Sequence, residues 1–330
     1  MNEQVDPCRD YVEHTRHQFV DVVQGHAIAS GVRPVRRAVF RKTHGVVHAN
    51  MTLDPARPED IRHGIFDADE YSVWIRFSSD IAPTDSDSVN GTIGIALKLF
   101  GVSPPTLAEV DPNAPSADLL LQNYDVFFVD TGYDMCVFTD LSLKGREEEW
   151  YEHHPETKSI LAAMQKREVS LLTATYWSVL PYACGHERAV KYRLSPLSGG
   201  SSLAPDSDPN RLRLDLAESL TRHASTFILS IQVPRPGINP PLDRATVRWT
   251  EADAPFIPAA RIDIPAQNIN TEGQETYGDA LAFSPWRVPE VNRHLGSIAE
   301  SRRRAYPSSA SQRHRVNGQI NAEPHAPRRP

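Results

Sequence analysis

Four side chains carry the chemistry this sequence offers by residue type and spacing: His48, Asn123, Arg302 and Tyr306. A neutral imidazole can take a proton and return it near neutral pH, which makes His48 a candidate acid–base group. Asn123 can donate one hydrogen bond and accept another, the equipment needed to orient a small polar substrate. Arg302 and Tyr306 are four residues apart, so a helix puts both on one face and brings a cation to the phenol. A free tyrosine ionises near pH 10, so a phenolate at neutral pH needs a metal, a cation or both.

Taken singly, each has a structural explanation. A histidine in the β-branched run HGVVHAN is ordinarily a core residue, Asn123 ordinarily closes a strand edge, and two basic-face residues ordinarily mark a surface helix. His153 and His154 are adjacent, about 100° apart on a helix, and make poor joint ligands.

Strands and helices must position these groups. Tyr71 to Ser79 alternates Val73, Ile75 and Phe77 with Ser72, Trp74 and Arg76, which predicts a half-buried strand. Ala38 to Leu53, Thr92 to Val102 and Asp118 to Val129 complete a first group of four. Residues 135–184 turn helical, with Ile160, Leu161, Met164 and Val169 at helix-like spacing. Four more strands follow at Ala189 to Leu194, Ser225 to Val233, Thr246 to Thr250 and Ala260 to Ile264. The segment 196–210 reads as a loop. Residues 8–30 form an N-terminal helix, and a basic helix falls between Pro289 and Val316. The expected fold is α+β, an antiparallel eight-stranded β-barrel with flanking helices and a C-terminal helix. Its parts are an N-terminal helical arm (1–34), one barrel domain (35–318) and a flexible tail (319–330).

Composition narrows the function classes. The 35 basic and 42 acidic residues give a net charge of −7, which removes the basic excess of a nucleic-acid binder. Cys8, Cys136 and Cys184 form no CxxC pair, arguing against a zinc ribbon or a disulfide scaffold and for a reducing compartment. Met1 to Phe19 is too charged for a signal peptide, and no stretch has the roughly 20 apolar residues of a membrane span. A cytoplasmic location without membrane insertion is expected.

The order of the motifs adds more than any one of them. Val46-Val47-His48-Ala49, Ile75-Arg76-Phe77-Ser78-Ser79, Gly94 to Val102, Asn123-Tyr124-Asp125-Val126-Phe127-Phe128, Tyr176-Trp177-Ser178 and Arg302-Arg303-Arg304-Ala305-Tyr306 follow one another as in the haem catalase superfamily. The chain resembles that family over about residues 35–318, and its small catalase-like branch in particular. The resemblance implies haem b on Tyr306, His48 as proton shuttle with Asn123 and Ser78 beside it, and Arg76, Arg302 and Arg313 binding the cofactor. It implies a catalase- or peroxidase-type oxidoreductase acting on hydrogen peroxide or an organic peroxide, and allows a homodimer. A hydroperoxide isomerase or peroxygenase, and a haem-binding protein without turnover, are the alternatives. Gly45, Ile93 and Asp80 depart from the pattern, Ile93 standing for the family's arginine before the glycine of the third strand and Asp80 for an apolar channel residue. The arginine expected three residues before the distal histidine is Gly45, with Arg41, Lys42 and His44 nearby as substitutes. Tyr277 is a fallback ligand, but Gly273 gives it no arginine partner.

Overall fold

The computed structural model describes residues 6–186, 188–197, 204 and 207–329. Nine strands pair in the order β5-β4-β3-β2-β1-β9-β8-β7-β6. They are β1 (Lys42–Leu53), β2 (Glu70–Ser79), β3 (Ile93–Phe100), β4 (Ser116–Gln122), β5 (Tyr176–Trp177), β6 (Tyr182–Cys184), β7 (Arg188–Pro196), β8 (Ser225–Gln232) and β9 (Phe256–Ile264). The two-residue β5 bonds to both β4 and β7, so eight strands close on themselves and β6 hangs from β7 as a hairpin. Closure removes the exposed edges of an open sheet.

Period-two alternation decides which side chains fill the barrel. Val47, Ala49, Met51 and Leu53 of β1 meet Val73, Ile75 and Phe77 of β2, with Leu97, Leu119, Leu194, Leu229 and Ile262 from the other walls. The outward set is different: Val46, Trp74 and Phe100 pack under Leu281 and Phe283.

Eight helices flank the barrel: α1 (Tyr11–Arg16), α2 (Gly25–Ala29), α3 (Gly132–Leu143), α4 (Glu147–Tyr151), α5 (Pro155–Met164), α6 (Arg211–Arg222), α7 (Gln274–Ala280) and α8 (Ser297–Val316). A π-helical stretch, His17–Gln24, joins α1 to α2. Leu212, Leu216 and Leu220 of α6 belong to the barrel core. They pack where β1, paired with β9 only over Asn50–Leu53, leaves the wall open. The last helix runs unbroken through Pro307.

Three expectations change and one is untested. Thr246 to Thr250 is irregular, held by the Trp249 carbonyl accepting from Gln232 Nε2, and the eighth barrel strand is β5 instead. Strand β4 ends at Gln122, because the Asn123 side chain takes the Ile93 amide and turns the chain out of the sheet. Most of the expected 196–210 loop lies outside the described residues. Cys8 and Cys136 form a disulfide with their Cα atoms 5.8 Å apart, because α1 folds back onto α3. A separation of 128 residues leaves no local spacing to read.

Candidate functional site

A β-bulge decides which histidine faces which way. Thr43 pairs with Ser78 and Gly45 with Phe77, so His44 is the extra residue on β1. Bulges re-aim side chains, and this one reverses the alternation below it. His48 therefore stands on the outer face opposite Trp74, their rings 6.0 Å apart. His44, an even position like His48, is turned inward and is fully buried. Its Nε2 lies 3.0 Å from Ser79 Oγ. Its Nδ1 has no hydrogen-bond partner and lies 3.9 Å from Asp87, whose other oxygen is 2.7 Å from Lys42 Nζ.

The register separates His48 from Ser78, which lies level with Thr43. The serine–histidine pair that the structure forms is Ser79 with His44. Sequence reading passed over His44, yet one signal marks it: Arg41 stands three residues before it, the spacing missing ahead of His48. His44 also lies at the Asn123 end of the barrel. Thr43, Ser78, Gly94 and Gln122 share one level of the ladder, whereas His48, Trp74, Lys98 and Asp118 share another. Asn123 is buried and donates Nδ2 to Glu168 Oε1 at 2.8 Å.

Burial lowers His44 to about 4, against the weaker opposing pull of Asp87. The sign follows: between pH 6.5 and 4 an unfolded chain binds a proton that the folded one refuses, so stability falls as pH falls. About 2 kcal/mol of the stability lost between pH 7 and pH 5 is expected to disappear in His44→Gln. Denaturant midpoints of both proteins at the two pH values measure it, and parallel losses would contradict the buried neutral imidazole.

The proximal candidates sit on α8. Tyr306 is half-buried and lines a crevice of about 30 Å³ with Phe283, Arg287, His314, Ala322 and Glu323. The Arg302 guanidinium lies 5.4 Å from the centre of the Phe127 ring. Both Arg302 and Tyr306 act electrostatically on the buried Tyr182 hydroxyl, which burial pushes well up. Stacked on Tyr182 at 4.3 Å is His294, fully enclosed, with neither ring nitrogen hydrogen-bonded among the described residues. Burial and then Arg302 hold His294 well below its ordinary range, so it is neutral.

Tyr277, the fallback ligand, stacks edge-on against Trp74 at 4.9 Å and accepts from the Arg328 amide. It belongs to the packing of the outer face. The chain's end joins that packing: Glu323 is buried against Lys98, and the Arg328 carbonyl accepts from Trp74 Nε1.

Two turns beyond Tyr306, Arg313 is buried with Arg76, and the half-buried Arg37 and Arg36 close the group. Four guanidiniums face one carboxylate, Asp279, which Arg36 reaches at 2.5 Å and Arg37 at 4.0 Å. Arg313 is pushed down to about 9 and Arg37 to about 10, by burial first and by neighbouring arginines. Among the described residues the Nε atoms of Arg76 and Arg313 have no hydrogen-bond partner. An adjoining crevice of about 290 Å³ is lined by Arg36, Arg37, Asp279 and Arg313. Arg76 donates to the Phe40 carbonyl and Thr43 Oγ1, Arg37 to the Leu281 carbonyl, and Arg313 to the Asp279 and Leu281 carbonyls, so most N–H groups are met while one carboxylate balances the charge. Such a surplus of positive charge favours a ligand carrying carboxylates or phosphates.

Solved structures with this architecture are catalases. The chain superimposes on a fungal catalase with a TM-score of 0.67 at 16% identity, covering 91% of this chain and 64% of that one. A bacterial catalase gives 0.66 at 14% identity, with 91% and 61% covered. Catalase A from Saccharomyces cerevisiae gives 0.68 at 15% identity, with 91% and 67% covered. The barrel with its flanking helices is thus the catalase fold, and the chain spans about two thirds of the length of those enzymes. No family model matches the sequence, and no curated protein does. Among the described residues no helix is long and apolar enough to cross a membrane.

Haem is the group that this fold implies, and the donor set fits it on one side. A phenol with an arginine one turn before it, an unpartnered buried imidazole beside that arginine, and a surplus of buried guanidiniums two turns away suit a metal-bound macrocycle with two carboxylates. Space is the restriction. Pockets for drug-sized ligands occupy about 300–1,000 Å³, against about 30 Å³ beside Tyr306 and 290 Å³ beside the arginines. Porphyrin entry therefore requires the segments lining the Tyr306 crevice, Phe283 and Ala322–Glu323 among them, to move aside.

Proposed function

We propose that this protein is a haem-dependent oxidoreductase that consumes hydroperoxides, hydrogen peroxide or an organic peroxide, in the manner of a catalase or peroxidase. The observation that carries the reading is the arginine group at Arg76 and Arg313, both buried, with the half-buried Arg37 beside them, two helical turns from Tyr306. Seven residues of helix span about 10 Å, a separation compatible with one macrocycle meeting both. Tyr306 would hold the iron of haem b, with Arg302 favouring the phenolate, and Arg76 and Arg313 would take the carboxylates. Haem supplies the oxidising chemistry, while the protein supplies the ligand, the proton relay and access.

The proton relay falls to a neutral histidine. His48 is the choice made from the motif order, and burial keeps its imidazole below the ordinary value. His44 is the choice the geometry favours, because a serine fixes its ring and a nitrogen is left free. Asn123 would orient the peroxide. His48→Gln and His44→Gln decide between them: the variant that keeps haem yet loses peroxide turnover identifies the relay.

The test of the whole reading is haem titration of the purified chain, followed by oxygen release and organic peroxide consumption. Stoichiometric Soret absorption with either activity supports it. Saturable haem binding without turnover leaves a haem-binding module, and absence of binding overturns the proposal. Arg313→Ala is expected to weaken haem binding by about 10–100-fold, the range for outer-shell changes at metal sites. A loss of less than about 3-fold would remove Arg313 from the site.

A further inference from the structure

The sulfurs of Cys8 and Cys136 and one ring nitrogen of His14 lie within 4.8 Å of one another, away from α8's buried arginines. Both cysteines are buried, while the His14 side chain keeps 22% of its surface exposed, so the group is built into the fold and open on one side. In the structure the two sulfurs are bonded to each other. Around that bond stands a second layer. His14 Nε2 lies 3.1 Å from Asp140 Oδ1, one turn after Cys136 on α3. Gln18 donates Nε2 to the same carboxylate and to the Cys136 carbonyl, both at 2.8 Å.

We propose that the reduced chain binds one zinc-class divalent cation through Cys8, Cys136 and His14, and that the disulfide is the metal-free form of the same site. Tetrahedral zinc places thiolate sulfurs at about 2.3 Å and imidazole nitrogens at about 2.0–2.1 Å. The ligand atoms are then about 3.5–3.8 Å apart, a spacing the cluster reaches once the sulfurs separate. Asp140 is a positioning residue: a ligating histidine ordinarily passes its other ring N–H to a carboxylate, which fixes the ring. Three protein ligands leave a fourth position for solvent.

The exchange balances. A dithiol reductant gives two electrons and two protons to the Cys8–Cys136 bond and leaves as its own disulfide, producing two thiols. The cation then displaces both thiol protons to solvent. Either form ties α1 to α3, and α1 also packs along α8, the helix carrying Tyr306.

The experiment uses the full chain, reduced with a dithiol, freed of it anaerobically and titrated with cobalt(II) and zinc(II). One equivalent of cobalt is expected to give the thiolate charge-transfer band and the intense d–d bands of a tetrahedral centre, bleached by zinc and by reoxidation. His14→Ala should retain the disulfide when oxidised yet lose that spectrum when reduced, and Asp140→Asn should weaken binding about 10–100-fold. Cys136→Ser should abolish it; because that variant loses the staple and can misfold, His14→Ala is the deciding one. Cobalt that keeps its octahedral aqueous spectrum beside two titratable thiols overturns the proposal, as does unchanged binding in His14→Ala.

Discussion

Tyr306→Phe is expected to lower haem affinity by more than about 100-fold, since removing the ligand itself must exceed the 10–100-fold cost of disturbing a ligand's partner. The substitution removes one oxygen from a half-buried ring on α8. That hydroxyl forms no hydrogen bond among the described residues, and α8 is held by its buried Ile298, Ala299 and Ala305 independently of it. Thermal unfolding of the metal-free chain should therefore move by less than about 1 kcal/mol equivalent, the range of a surface change. The pair of measurements separates ligation from folding. A Soret band of unchanged position and intensity in Tyr306→Phe would sink the proximal assignment. Tyr277→Phe, altering a ring already engaged with Trp74 and Arg328, serves as the control that should leave haem uptake intact.

The second large effect concerns the outer face of β3 and β4. Lys98 is fully buried, with Nζ 2.7 Å from Asp118 and 2.9 Å from Glu323. Arg287 backs Glu323 at 3.6 Å, and the second Asp118 oxygen accepts from the Ser284 amide. Replacing such a network with apolar residues can be neutral, but removing one partner strands the others. Lys98→Met is expected to cost about 3–5 kcal/mol, a fall in Tm of roughly 5–10 °C for a chain of this size. Burial already holds the Asp118 carboxyl above its ordinary range, with Lys98 pulling it back. Without Lys98 that carboxyl rises further, so the folded variant holds a proton which the unfolded chain releases. Stability of Lys98→Met should then fall as pH rises from about 4, and adding Asp118→Asn should recover part of the loss. A midpoint within 1 kcal/mol of the parent protein would show that water, not Lys98, satisfies these carboxylates.

This network also explains why the last dozen residues depart from their sequence character. AEPHAPRRP lacks apolar periodicity and reads as a loose tail, yet Glu323 is drawn under the surface by a lysine 225 residues away. Placing a tail by one ion pair leaves no pattern along the chain. The same reasoning applies to the staple at Cys8 and Cys136 and to β5. A strand of two residues has no alternation to detect, and closing the barrel rests on partners donated by β4 and β7.

What the sequence determined by itself were the elements whose signal is local. Period-two alternation placed β2, and β-branched or apolar runs placed β1, β3, β8 and β9, within a few residues of their observed ends, because burial leaves a local mark on each strand. The basic stretch between Pro289 and Val316 read as a helix, and a spacing of four residues, just over one turn, puts Arg302 and Tyr306 on one face of it. Ordered motifs carried the fold class. Tertiary structure alone decided which side of a strand a residue faces once the register slips. One inserted residue at His44 turns that histidine inward toward Ser79 and leaves His48 outside against Trp74. A bulge exists only between two paired strands, so its consequence cannot be read from either of them.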